Sequence, residues 1–120
     1  MRFSKKRISS QTKKELVDNF VQVLADLRQP QQAKRFLQDF LTKAELLTLA
    51  KRLAVAFMLE KDTPYGEIKK ELGVSSATIA SVTQMMQKNP EGFRTALQHL
   101  EAEKWASDLS GKISRFFKGF

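Results

Sequence analysis

The chain has 120 residues, no cysteine, a single histidine and a formal net charge of +8. Its length suits one domain. The lack of cysteine excludes a disulfide framework and a thiolate zinc site, and one histidine excludes a multi-histidine metal cluster. The charge is uneven. Arg2, Lys5, Lys6, Arg7, Lys13 and Lys14 crowd the first 14 residues, and Lys112, Arg115 and Lys118 the last nine, with no acid in either stretch. The remaining 12 basic residues meet 13 acidic ones, so the middle of the chain is near neutral. A polyanion partner is therefore expected chiefly at the two ends, unless those charges serve only solubility. No apolar run approaches the roughly 20 residues of a membrane span. The basic start, MRFSKKRISS, lacks the apolar segment of a secretory signal, so a cytoplasmic location is expected.

In chain order, residues 1–10 read as a flexible basic arm. From about Ser10 to Leu27 the apolar Leu16, Phe20, Val23, Leu24 and Leu27 recur every three or four residues, one face of an amphipathic helix. Val17 and Val21 widen that stripe beyond what one neighbour covers, and Gln29–Pro30 breaks it. A second helix is predicted from about Pro30 to Phe40, with Phe36, Leu37, Phe40 and Leu41 on its buried side. Thr42 and Glu45 form a capping box for a third helix, apolar almost all round from Leu46 to Leu59 and so expected to run through the core. Asp62–Thr63–Pro64 ends it. After Asn89–Pro90 a last helix reaches about Ser107, with Phe93, Leu97, Leu100 and Trp105 apolar, and residues 108–120 form a basic aromatic tail. No alternating strand pattern is present, and the class is all-α.

Residues 64–88, PYGEIKKELGVSSATIASVTQMMQK, carry the strongest local signal. They read as a helix-turn-helix: a helix from about Pro64 to Leu72, a turn at Gly73–Val74–Ser75, and a second helix from about Ser76 to Gln87. Pro64 suits the first helical position, with Thr63 as its cap. Gly73 suits a left-handed exit, and Ser75 or Ser76 can cap the second helix. Ile68, Leu72, Val74, Ile79 and Val82 fall where they close the two helices onto each other, leaving Ser76, Ala77, Ala80 and Ser81 outside. A small, polar outer face is what entry into a DNA major groove requires. A plain helical hairpin buried in an all-α core is the alternative.

Residues 36–90 resemble the Trp repressor superfamily. The resemblance rests on LTKAELLTLAKRLAVAFMLE at 41–60 and EIKKELGVSSATIASV at 67–82, above all the LT pair, Arg52, KELG and SATIA. It implies an all-helical, intertwined homodimer that binds double-stranded DNA through its helix-turn-helix and represses transcription. The helical domain so implied spans 11–107. In tryptophan-responsive members an arginine on the recognition helix meets the ligand carboxylate; the matching position is Ser81, whose neutral hydroxyl cannot replace that two-pronged contact. Arg52 matches the other ligand arginine and Thr42 a threonine near the ligand. The resemblance thus implies an effector site at Thr42, Arg52 and Ser81, for a small molecule other than tryptophan. Arg52 in a surface or interface ion pair is the competing reading.

Residues 75–87 contain no charged side chain, so arginine-to-guanine contact is not open to the second helix. Ser75, Ser76, Thr78, Ser81 and Gln84, with the methyl groups of Ala77 and Ala80, remain for base contact. Much of the specificity would then come through water and DNA shape. Affinity would come from phosphates, held by Lys69, Lys70 and backbone N–H groups at the helix starts, and the match favours Lys69. Two features point to a homodimer: the excess apolar face of the first two helices, and the usual need for two reading helices on two half-sites. A different class of function, a protein-interaction or architectural module that no longer reads sequence, fits the uncharged helix. Membrane-surface attachment through SGKISRFFKGF is a weaker reading, because phenylalanines at that spacing serve packing more often. No metal, cofactor or enzymatic activity is expected: His99 has no partner in the pattern, and the carboxylates are scattered.

Overall fold

A computed structural model describes residues 7–107 of the protein, with side-chain surroundings through Glu101. The basic tail at 108–120 and the first six residues of the arm lie outside the described residues. Among the described residues there are six helices: α1 (Ser10–Asp26), α2 (Pro30–Phe40), α3 (Lys43–Glu60), α4 (Tyr65–Leu72), α5 (Ser76–Lys88) and α6 (Pro90–Ser107). They fall into two compact units that divide between Thr42 and Lys43.

The first unit holds α1 and α2. The Ser9 side chain accepts the Thr12 N–H and starts α1, and Pro30 begins α2 where a missing N–H costs nothing. Neither helix has a fully buried residue. The expected apolar face of α1 is present, but Leu16, Val17, Phe20, Val21 and Val23 are exposed and only Leu24 and Leu27 are half-buried. On α2 the predicted buried side is only partly covered. Phe36 and Leu37, with Leu41 just beyond, are half-buried, and Phe40 is exposed. Three rings stack along this unit, Phe20 on Phe40 at 5.6 Å and Phe40 on Phe36 at 5.1 Å between centroids.

The second unit is built on α3, which touches α4, α5 and α6. Its core is one cluster: Ala54, Val55, Ala56, Phe57 and Met58 from α3, Ile68 and Leu72 from α4, Ile79 and Val82 from α5, and Leu97 from α6. Val74, Phe93 and Leu100 pack against it. The expectation that α3 is core along its length needs correcting. Only its C-terminal half is buried, while Leu47, Leu49 and Leu53 remain exposed. Helices α4 to α6 are too few to surround a helix that is apolar almost all round.

Two left-handed residues bracket α4. Asp62 (φ 58°) follows α3, and the Asp62 and Thr63 N–H groups bond back to the Leu59 and Met58 carbonyls. That is the paired closure of a Schellman motif, with aspartate where glycine is usual. Gly73 (φ 61°) closes α4, its N–H donating to the Lys69 carbonyl. Pro64, expected inside α4 with Thr63 as cap, instead takes the cap position with extended backbone (ψ 145°), and its own carbonyl accepts the Glu67 and Ile68 N–H groups. The Asp62 closure leaves Thr63 completing the exit from α3, so the cap moves on by one residue.

Gly73→Ala is expected to cost about 1–2 kcal/mol, the penalty of left-handed backbone for a residue with a Cβ. A Cβ there meets nothing closer than the Lys51 Nζ at 3.8 Å, so the cost is conformational rather than steric. Urea titration measures it; an unchanged midpoint would mean the turn relaxes at no expense.

Candidate nucleic-acid interface

Helix α5 is held from inside and from its start. Ile79 and Val82 bury its inner edge at 0% and 1% exposure. At its start the Ser75 hydroxyl accepts the Thr78 N–H at 3.1 Å and lies 3.1 Å from the Thr78 hydroxyl. Further along, the Thr83 hydroxyl donates to the Ile79 carbonyl at 2.8 Å. A hydroxyl has one proton, so in the 3.2 Å contact between Tyr65 and Thr83 the phenol must donate. That bond ties the first residue of α4 to the middle of α5.

The outer edge of α5 is Ser76, Ala77, Ala80, Ser81 and Gln84, all exposed. Ala77, Ala80, Ser81 and Gln84 follow the three-and-four spacing of one helical stripe. Ser75 and Thr78 are exposed as well, but their hydroxyls already serve the cap, which leaves Ser76 and Ser81 with the freer hydroxyls. The Ser76 and Ala77 N–H groups, at the first two helical positions, have no acceptor within the helix. Lys69 and Lys70 stand exposed in the last turn of α4, just before Gly73.

A cleft of about 290 Å³ opens between α3 and the first turns of α5, lined by Thr48, Arg52, Ala77, Thr78, Ser81 and Val82. It brings Arg52 and Ser81 together, two of the three residues expected at an effector site. Thr42 is not on its wall and belongs to the other compact unit. Thr48 lines it instead, four residues before Arg52 and so on the same face of α3. That spacing is legible in the sequence, although the family resemblance points to Thr42. Arg52 forms no ion pair with another described residue. His99 sits exposed on α6.

A family model described as Trp repressor protein matches residues 15–101. The chain belongs to the Trp repressor family. The match takes in α1 and α2 as well as the 36–90 stretch that carries the resemblance. An uncharacterized Bacillus subtilis (strain 168) protein, YerC, is 34% identical over 88 residues, covering 73% of this chain and 84% of that protein. No solved structure matches. The all-α Trp repressor-like fold expected from sequence is the fold observed, and the family is one of helix-turn-helix DNA-binding regulators rather than of enzymes. Among the described residues no helix is long and apolar enough to cross a membrane.

Proposed function

We propose that this Trp repressor-family protein is a cytoplasmic, sequence-specific DNA-binding repressor that acts as a homodimer and sets α5 in the major groove. One observation carries the reading. The stripe Ser76, Ala77, Ala80, Ser81 and Gln84 is uncharged and open, on a helix whose Ile79 and Val82 are buried in the core. Small side chains let the helix axis come close to base edges. Without arginine or lysine on that stripe, selectivity rests on serine and glutamine, methyl contacts, bridging water and DNA shape.

The homodimer is supported by the apolar surface that α1, α2 and the first half of α3 leave uncovered. Leu16, Val17, Phe20, Val21, Val23 and Phe40 are exposed in the first unit and Leu47, Leu49 and Leu53 in the second, more in each than single scattered hydrophobics explain. Two copies would present two α5 helices to half-sites about one DNA turn apart. The Arg52–Ser81 cleft is the candidate effector pocket. With one guanidinium instead of two it holds a carboxylate less firmly, so tryptophan is not the expected effector.

Selection from random duplex DNA tests the function. A two-fold symmetric motif with half-sites about one turn apart supports it. No enrichment over input would overturn it and leave the architectural or protein-interaction module, the reading that the uncharged stretch 75–87 favours. Within the proposed function Lys69 is assigned to a phosphate. Lys69→Ala should weaken binding on every sequence and flatten the slope of log K against log salt by about one unit per bound subunit. An unaltered slope would remove Lys69 from the interface.

A further inference from the structure

The exposed stripe of α5 carries no cation, since the helix's Lys88 sits in its last turn, and α3 supplies one at the helix entrance. We infer that Lys51 is a DNA-phosphate-binding residue held against the helix-turn-helix turn, an inference that rests on the DNA-binding function proposed above. Lys51 precedes Ala54, Val55 and Met58 by three, four and seven residues, so it continues the buried face of α3 by one turn. That face packs on α4 and α5. The lysine stands where the apolar contact runs out. The residue is half-buried, and its Nζ lies 3.8 Å from the point a Cβ on Gly73 would occupy. The ammonium is therefore beside the backbone of the turn that leads into α5.

The local charges leave it available. Lys51 has no ion pair and no hydrogen bond among the described residues. The neighbouring groups on α4 are two further cations, Lys69 and Lys70, and the half-buried Glu71, which forms no ion pair with it. With no acidic partner among the described residues, its charge is open to an anion from outside the chain. When a second helix enters the major groove, the first helix crosses the sugar–phosphate backbone, and a lysine beside the turn that joins them is within reach of a phosphate. Partial burial of the residue restricts its rotamers, so less freedom is lost on binding than for a fully exposed lysine.

The competing role is structural: Lys51 as a counter-charge to the carbonyl end of α4. The two roles are separable by salt. On the duplex selected by the wild-type protein, affinity is measured across salt for the wild type, Lys51→Gln, Lys51→Met and Lys51→Arg, with thermal unfolding of each. Removing one phosphate-bound cation from each of two subunits flattens the slope by about 1.8. Between roughly 50 and 200 mM salt the wild type should then lose about 10-fold more affinity than Lys51→Gln or Lys51→Met. Lys51→Arg should keep the wild-type slope, and all four proteins should melt together. A wild-type slope in both neutral variants overturns the assignment while leaving DNA binding in place. A lowered melting temperature without a slope change assigns Lys51 to the structural role and also overturns it. If the wild type selects no duplex, the proposed function falls and this inference falls with it.

Discussion

Ile79→Ala should destabilise the protein by about 2–5 kcal/mol, the range for truncating a fully enclosed aliphatic side chain. Ile79 is 0% exposed and lies in the cluster that α3, α4, α5 and α6 share. The truncation strips apolar packing and leaves a cavity that the neighbouring Ile68 and Val82, themselves enclosed, are poorly placed to fill. Against a typical total of about 5–15 kcal/mol, that is a large fraction of the stability. The urea midpoint should fall with the denaturant slope unchanged, because the same surface still becomes exposed. A drop below about 1 kcal/mol would show that the α4–α5 seam is not what holds the reading helix.

Ala77→Phe should remove sequence-specific DNA binding while leaving the fold intact. Ala77 is exposed at the second position of α5, where a large ring has room in the free protein. On DNA the same ring would occupy the space through which the helix approaches the bases. Affinity for the selected operator should drop to the non-specific level, a decrease on the order of 10³-fold or more. Thermal unfolding should stay within a degree or two of the wild type, since surface changes usually move stability by less than about 0.5 kcal/mol. Operator binding at the wild-type level would mean that α5 docks by another edge.

The local punctuation of the sequence is its most legible part. Pro30 and Pro90 begin α2 and α6, Gly73 ends α4 in left-handed backbone, and Ser75 caps α5. Each of these residues has a conformational preference strong enough to act without tertiary help. The seam is legible too: Ile68, Leu72, Ile79 and Val82 are all buried, as their spacing implies. The exposure of half of α3 is not. A helix apolar almost all round says that something covers it but not which chain does, and Leu53 reads like Val55 until the surrounding helices are in place. The Pro64 register escapes the sequence because Asp62 adopts a backbone conformation usually left to glycine. At the site, the α5 stripe follows from helical periodicity, whereas the approach of Lys51 to Gly73 spans 22 residues and depends on how α3 crosses the turn.

Helix α4 has eight residues, too few to persist in isolation. It begins just after the left-handed Asp62, ends at the left-handed Gly73, and is pinned to α5 by the Tyr65 hydroxyl. With both corners fixed in left-handed backbone, fraying of α4 is expected to be coupled to the placement of α5. The two helices are expected to open and close as a single block, so on the proposed function a signal that re-aims α5 would swing both together against α3.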